Sequence, residues 1–317
     1  MDPFSDVLSS IRFQSAIYAQ AEFTAPWGFT LPAFPTHMSF FMVMRGSCVA
    51  TLPDRNTSYA LAGGELLLLP RRGDCVLQAA AGSPLFPFEK IHEEQTKGKK
   101  LIRMGGPGAL TSLVMGCFVL EAHQRNPFIA SLPDVIYLTA ENVQSEPGLE
   151  TTIRLLYTEI SRNAQGADIL VQRLTDALFI QIIRAYISQI KRCPETPGWL
   201  KALSDPEIGA ALNLIHEKPE APWTVASLAD AVNMSRTSFA NKFTALVTYT
   251  PIDYLTLWRM QKAIGMMQLS NDSLAEIGSS VGYTSMAAFA KAFKRELGES
   301  PSEFRKKYAM KLSATNS

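Results

Sequence analysis

Two stretches of this chain carry one skeleton. Leu228, Ala229 and Val232 recur forty-nine residues later as Ile277, Gly278 and Val281, while Phe239, Phe243 and Pro251 recur fifty residues later as Phe289, Phe293 and Pro301. The one-residue slip falls within a turn, where an insertion disturbs packing least. A duplicated apolar core whose only length change lies in a loop restricts the last third of the chain to one small object made twice.

Each copy reads as a helix, a turn and a second helix. In the first, Thr224 is placed to cap a helix carrying Leu228, Ala229 and Val232 on one face. Asn233-Met234 makes the turn, and Ser235 begins the next helix as its cap. In the second, Asp272 or Ser273 caps, and Ser273 with Glu276 has the spacing of a capping box. Val281-Gly282-Tyr283 makes the turn, with Gly282 free to adopt positive φ, and Thr284 or Ser285 caps the last helix.

At about 100° per residue, Phe239, Phe243 and Leu246 form the inward stripe of one second helix, and Phe289 and Phe293 that of the other. Thr237, Ala240, Asn241 and Thr244 then point outward, as do Ala287, Ala290, Lys291 and Lys294. Small and polar residues on such a face suit a major groove about 12 Å wide; large apolar ones do not. Thr237, Ala240, Asn241, Ala287 and Lys291 are the expected base contacts, Asn241 matching adenine and Lys291 guanine. Ser235, Arg236, Lys242, Ser285, Lys294 and Arg295 are the expected phosphate contacts. Tyr254–Leu269 joins the copies through Leu255, Leu257, Trp258, Ala263, Ile264, Met267 and Leu269, a helix able to hold them rigidly about one turn of duplex, 34 Å, apart. Arg259 on that helix is expected to make a structural ion pair or a phosphate contact.

Charge follows this division. The net charge is only +1, but from Trp223 onward 11 basic residues face 7 acidic ones, against 19 and 22 before it. The surplus marks the C-terminal third as the part that meets a polyanion. No apolar run of about 18 residues spans a membrane, and the first residues lack the pattern of a signal peptide, so a cytoplasmic protein is expected. Cys48, Cys75, Cys117 and Cys193 lie far apart without a CxxC pair, which fits reduced thiols.

The first 140 residues have a different grammar. FFMVMRG (40–46), SCVATL (47–52), SYALAGG (58–64) and ELLLLPRRGD (65–74) read as consecutive strands, separated by turn signals at Pro53-Asp54 and Gly63-Gly64. No helical period of useful length appears, so a β-barrel or sandwich is expected. Helical spacing begins near Glu146, with Leu149, Ile153, Leu156 and Ile160, then Leu170, Leu174, Leu178, Ile182, Ala185 and Ile190. Those two helices, over 147–191, fit a dimer seam and an intramolecular support equally well. Pro194, Pro197 and Gly198 break the pattern, which sets a first domain at 1–195, its barrel ending near 140, and a second at 196–317. The fold class is α+β.

The C-terminal stretches LADAVNMSRTSFANKF, TPIDYLTLWRMQKAIGMMQ and IGSSVGYTSMAAFAKAFKRELGESPSEFR resemble the DNA-binding domain of AraC/XylS-type transcription regulators. The resemblance implies that the helices beginning near Ser235 and Ser285 enter adjacent major grooves of double-stranded DNA. It also implies RNA polymerase as a partner if the protein is an activator, and a homodimer. The chain departs from the family pattern in having Gly278 where alanine is usual and Tyr249 where glycine is usual. Ala287 stands where a larger polar reader is often found.

The front half, through TAPWGFTLP, FFMVMRGSCVATL, LAGGELLLLPRRGDCVL and NPFIASLPDVIYL, resembles the cupin-like domain of one branch of the same regulators. Cupins often hold a metal on histidines. Here Phe40-Phe41-Met42 occupies the first such position and Cys75 the later one, while His37, His92, His123 and His216 lack ligand spacing, so neither metal nor cofactor is expected. A small-molecule effector in an apolar lumen is expected instead, with Arg45, Arg71, Arg72, Cys75, Phe40 and Met42 as candidate contacts and Phe29, Phe34 and Met44 as further lining. Arg45, Arg55, Arg71 and Arg72 suit an anion. Alternatively, Cys75 or Cys48 senses redox state if those arginines lower its thiol pKa. Catalysis is not expected. The alternative to a regulator is a metal-free cupin binding module, or a cupin enzyme, whose helical tail binds protein.

Overall fold

A computed structural model describes residues 3–11, 13–33, 37–70, 73–89, 101–120, 127–162, 164–191 and 198–315. They divide into two compact units, one of 13–122 and 133–194 and one of 1–12, 123–132 and 195–317.

The first unit holds ten described strands in two sheets. The larger runs β10 (Ile136–Leu138), β6 (Leu66–Leu69), β3 (His37–Arg45), β9 (Leu110–Leu120), β1 (Phe13–Thr24), β8 (Leu101–Gly105). The smaller runs β2 (Gly28–Leu31), β7 (Cys75–Gln78), β4 (Ser47–Leu52), β5 (Thr57–Ala62). Every pairing is antiparallel except that of β1 with β8. The expected strands of 40–69 are present. The two longest, β1 and β9, escaped the sequence reading, although Pro26 follows β1, Gly and Pro fill 105–108 before β9, and Ala19, Ala21 and Phe23 alternate with Gln20, Glu22 and Thr24.

Strand alternation decides which residues face the space between the sheets. Ala19, Ala21 and Phe23 of β1, Phe41 and Val43 of β3, and Leu113 and Met115 of β9 form one apolar core with Cys48, Ala50, Cys75 and Leu77 of the smaller sheet. Phe40 and Met42 were expected to line this interior. They belong to the opposite face of β3, since each alternates with Phe41 and Val43. There Phe40 packs on Phe118 at 5.1 Å and Phe118 on Phe179 at 5.2 Å.

Phe179 lies on the longer of two helices that follow α3 (Ala140–Ser145), namely α4 (Leu149–Arg162) and α5 (Ala167–Lys191). The quartet Leu149, Ile153, Leu156 and Ile160 is buried as its spacing predicts. On α5, Leu178, Phe179, Ile182, Ile183 and Ala185 are buried within the unit, so that stretch is an intramolecular support. Leu170, expected in the same stripe, is instead exposed, as are Ile169 and Leu155.

The second unit is helical. It contains α1 (Pro3–Ser10), α2 (Pro127–Ser131), α6 (Trp199–Ser204), α7 (Pro206–Glu217), α8 (Val225–Ala231), α9 (Arg236–Val247), α10 (Pro251–Leu269), α11 (Leu274–Ser280), α12 (Met286–Leu297) and α13 (Pro301–Thr315). The boundary read from sequence had left 1–12 and 123–132 with the strands. Their side chains pack otherwise: Phe4 meets Phe128 at 6.2 Å, and Phe128 meets Trp199 edge-on at 5.5 Å. α1 had no place in the sequence reading, although Phe4, Val7, Leu8 and Ile11 have helical spacing.

Candidate nucleic-acid interface

The repeat is visible residue by residue. Thr224 caps α8 with a reciprocal box to Ser227, and Ser273 caps α11 with one to Glu276. Each helix then closes on a left-handed residue, Asn233 at φ 56° and Gly282 at φ 89°. The next amide bonds back to the first helix, Met234 N–H to the Ala229 carbonyl and Tyr283 N–H to the Gly278 carbonyl, both at 2.9 Å. Ser235 and Ser285 cap the second helices, each hydroxyl accepting from an amide three residues on at 3.2 Å. Thr284 is therefore the extra residue, inserted between the left-handed turn and the cap. At the far end, Thr248 (φ 68°) and Gly298 (φ 80°) match each other. Thr248, the neighbour of Tyr249, thus stands where the second repeat has a glycine.

Gly278 has a packing reason. A Cβ there would meet Phe289 atoms at 3.1 to 3.2 Å, so the missing methyl lets the ring lie close against α11. Gly282 has a stronger one, since a Cβ would stand 2.6 Å from the Glu220 carbonyl. Arg259 fills the neighbouring space. Its Nε donates to the Pro219 carbonyl at 2.7 Å, its Nη2 to that of Ala221 at 2.9 Å, and its guanidinium lies 5.6 Å from the Tyr283 ring centre. The guanidinium clamps the 219–221 loop to the second turn through backbone carbonyls, where an ion pair or a phosphate contact was the expectation.

Phe239, Phe243 and Val247 anchor α9, and Phe289, Ala292 and Phe293 anchor α12. Opposite these anchors, Ser235, Arg236, Thr237, Asn241 and Thr244 are exposed along α9, with Ala240 half-buried. Ser285, Met286, Ala287, Lys291, Lys294 and Arg295 are exposed along α12. Arg295 Nε also donates to Glu296 Oε1 at 2.6 Å. Lys242 departs from expectation. It is held at 2.7 Å by Asp205 and 2.8 Å by Glu207, at the N-terminus of α7, so its ammonium ties α9 to α7 rather than facing outward. Bonding to these carboxylates, Asp205 first, raises its pKa.

Among the described residues the candidate effector contacts do not converge. Arg45 is exposed at the end of β3, Phe40 and Met42 lie on the back of the large sheet, and Cys75 is buried between the sheets. Arg71, Arg72, Phe34, His92, His123 and Cys193 lie outside the described residues. Arg55 pairs with Asp134. The condition set for thiol sensing is not met, because burial pushes both Cys48 and Cys75 up to about 12. Among the described residues no group of three or more His, Cys, Asp or Glu is placed to hold a metal ion. No described helix is long and apolar enough to cross a membrane.

Behind the repeats lies a polar chain that the spacing of its members did not reveal. Trp199 Nε1 donates to the Tyr254 hydroxyl at 2.8 Å, and that hydroxyl lies 2.7 Å from His216 Nε2. His216 Nδ1 lies 3.3 Å from Asp6 Oδ2, and Lys262 Nζ donates to Asp6 Oδ1 at 2.6 Å. The His216 ring also stacks 4.1 Å from that of Trp258.

A duplicated cap–turn–cap unit with anchored inner faces and exposed outer faces, in a chain that also carries a two-sheet domain, defines the class of a two-domain helix–turn–helix protein. Comparison with known proteins agrees. Residues 2–188 match the Cupin family and residues 228–307 the helix-turn-helix domain family. The HTH-type transcriptional regulator AlkR of Acinetobacter baylyi is 30% identical over 308 residues, covering 96% of this chain and 99% of that one. A protein of Streptomyces antibioticus described as an AraC-like transcription regulator is 29% identical over 311 residues, covering 96% and 99%. The DNA-binding domain of AdpA, solved with a target DNA, is 28% identical, covering 34% of this chain and 96% of that one, with a TM-score of 0.32. The chain belongs to the AraC-type transcription regulators with an N-terminal cupin domain.

Proposed function

We propose that α9 and α12 are the two recognition helices of a sequence-specific reader of duplex DNA, and that the two repeats are not equivalent. The observation that carries this is the pair of anchored helices whose outer faces differ in chemistry. α9 offers Thr237 and Asn241, able to hydrogen-bond base edges, and Arg236 beside them. α12 offers Ala287 and Met286, apolar contacts for thymine methyls, with Lys291 for a guanine edge and Lys294 and Arg295 for phosphates. Ser235 and Ser285 use their hydroxyls as caps, which leaves the first amides of each helix to meet phosphate oxygens.

The strand-built unit is proposed to take a small-molecule effector between its sheets. Thiol control has burial against it. An effector acts on transcription only if it binds one arrangement of the protein more tightly than another. Leu155, Ile169 and Leu170 are the residues on which a homodimer is proposed, being large, apolar and exposed on neighbouring helices. Contact with RNA polymerase belongs to this proposal if the output is activation.

Genomic footprinting followed by retardation of the recovered fragment tests the reading. Asn241→Ala is expected to weaken binding to that fragment by tenfold or more, about 1–3 kcal/mol, and to leave binding to unrelated duplex nearly unchanged. Equal losses on both would remove Asn241 as a reader.

A further inference from the structure

We propose that Asp6 is a positioning residue for the two recognition helices, acting through Lys262 and His216 to lock α7 against α10. The inference rests on the DNA-reading role of α9 and α12. It assigns to that role a residue from the other end of the chain, inside the span that matches the Cupin family.

Asp6 is 8% exposed, and its two carboxylate oxygens reach two different helices. Oδ2 faces His216 of α7, and Oδ1 accepts from Lys262 of α10. Each of these helices leads to one repeat. α7 carries Asp205 and Glu207, which grip Lys242 of α9 and so fix the first recognition helix. The second half of α10 carries Met260, Ala263, Ile264 and Met267, which form one core with Ile277, Val281, Phe289 and Phe293 of the second repeat. Lys262 lies among these residues, its ammonium 4.8 Å from the Trp258 ring centre. Asp6 therefore stands where the support of the first repeat meets that of the second. A charge-assisted, two-armed contact there fixes direction as well as distance.

Apolar packing alone is less exacting about angle than a hydrogen-bonded contact. Without the carboxylate, α10 keeps its aromatic contacts to α7 but loses the bond that fixes its rotation. Each recognition helix then still fits its own groove, while the pair fits two grooves at once less often. The defect belongs to spacing, not to either reader.

Full-length protein is used with two fragments, a recovered site containing both half-sites and the same duplex with the second half-site scrambled. Asp6→Asn and Lys262→Met are each expected to weaken binding to the complete site about fivefold, and the double variant no further, since the two residues act as a unit. Binding to the half-site fragment stays within twofold of the unmodified protein, and Lys262→Arg behaves like the unmodified protein. The proposal is overturned if either variant binds both fragments as before, or if affinity for both falls together, as general loss of folding would cause. An unmodified chain that retards no duplex overturns the DNA-reading role itself; unmodified binding with unaffected variants overturns only the role of Asp6.

Discussion

Thr248 occupies a backbone conformation that suits it poorly. At φ 68° it ends α9 in the left-handed region, where Gly298 ends α12. A β-branched residue there costs on the order of 1–3 kcal/mol. Thr248→Gly is expected to raise unfolding stability by about 1 kcal/mol, after allowing for the greater freedom of glycine in the unfolded chain. Chemical denaturation measures it, and an unchanged or lower midpoint would contradict it. His216 gives a pH signature. Burial lowers its pKa from the ordinary 6.5, Asp6 opposing and Lys262 reinforcing the shift. As the pH falls past 6.5 the unfolded chain takes up the proton first. The stabilisation by neutral His216 is therefore complete above that pH and is lost below it, by at most about 1.4 kcal/mol per pH unit. Thermal melts between pH 7.5 and 5.5 should show a steeper loss for the unmodified protein than for His216→Gln.

Lys242 and Lys294 are both lysines on the proposed recognition helices, and the elements around them give them different work. Lys242 is one-third exposed and bridges α9 to α7. Lys242→Met is expected to lower stability by no more than about 1 kcal/mol, solvent screening the pair, and to leave the salt dependence of DNA binding unchanged. Lys294→Met is expected to do the reverse, reducing the slope of log K against log salt by about 1. Binding measured across a salt series separates them. Sequence could not separate them, since each stands directly beside a buried phenylalanine, Phe243 or Phe293. What distinguishes Lys242 is the Asp205-Pro206-Glu207 helix start, some thirty-five residues earlier and close only after folding.

At the scale of the whole molecule, legibility followed locality. Caps, turns and the stripe from Phe239 to Phe293 were readable because neighbours within four residues decide them. The face of β3 that meets the helices was not, since Phe40 and Phe41 look alike until a second sheet and α5 claim different sides. Nor was the chain from Asp6 to Lys262, whose members have no common spacing. Two of the three buried thiols among the described residues yield a global expectation. Cys48 and Cys75, whose thiol pKa values burial pushes up to about 12, should resist a thiol reagent at pH 8 in the native protein and react once it is unfolded. Rapid labelling under native conditions would show that the sheets open.

Asp6 and Lys262 are separated by 256 positions. During synthesis the first helix emerges long before its partners exist, and the strands that follow it can close while it waits. The helical unit is therefore finished last and from both ends at once, a long-range closure that is intrinsically slow. A nascent chain stalled before residue 262 would carry a complete strand-built unit and no assembled DNA reader.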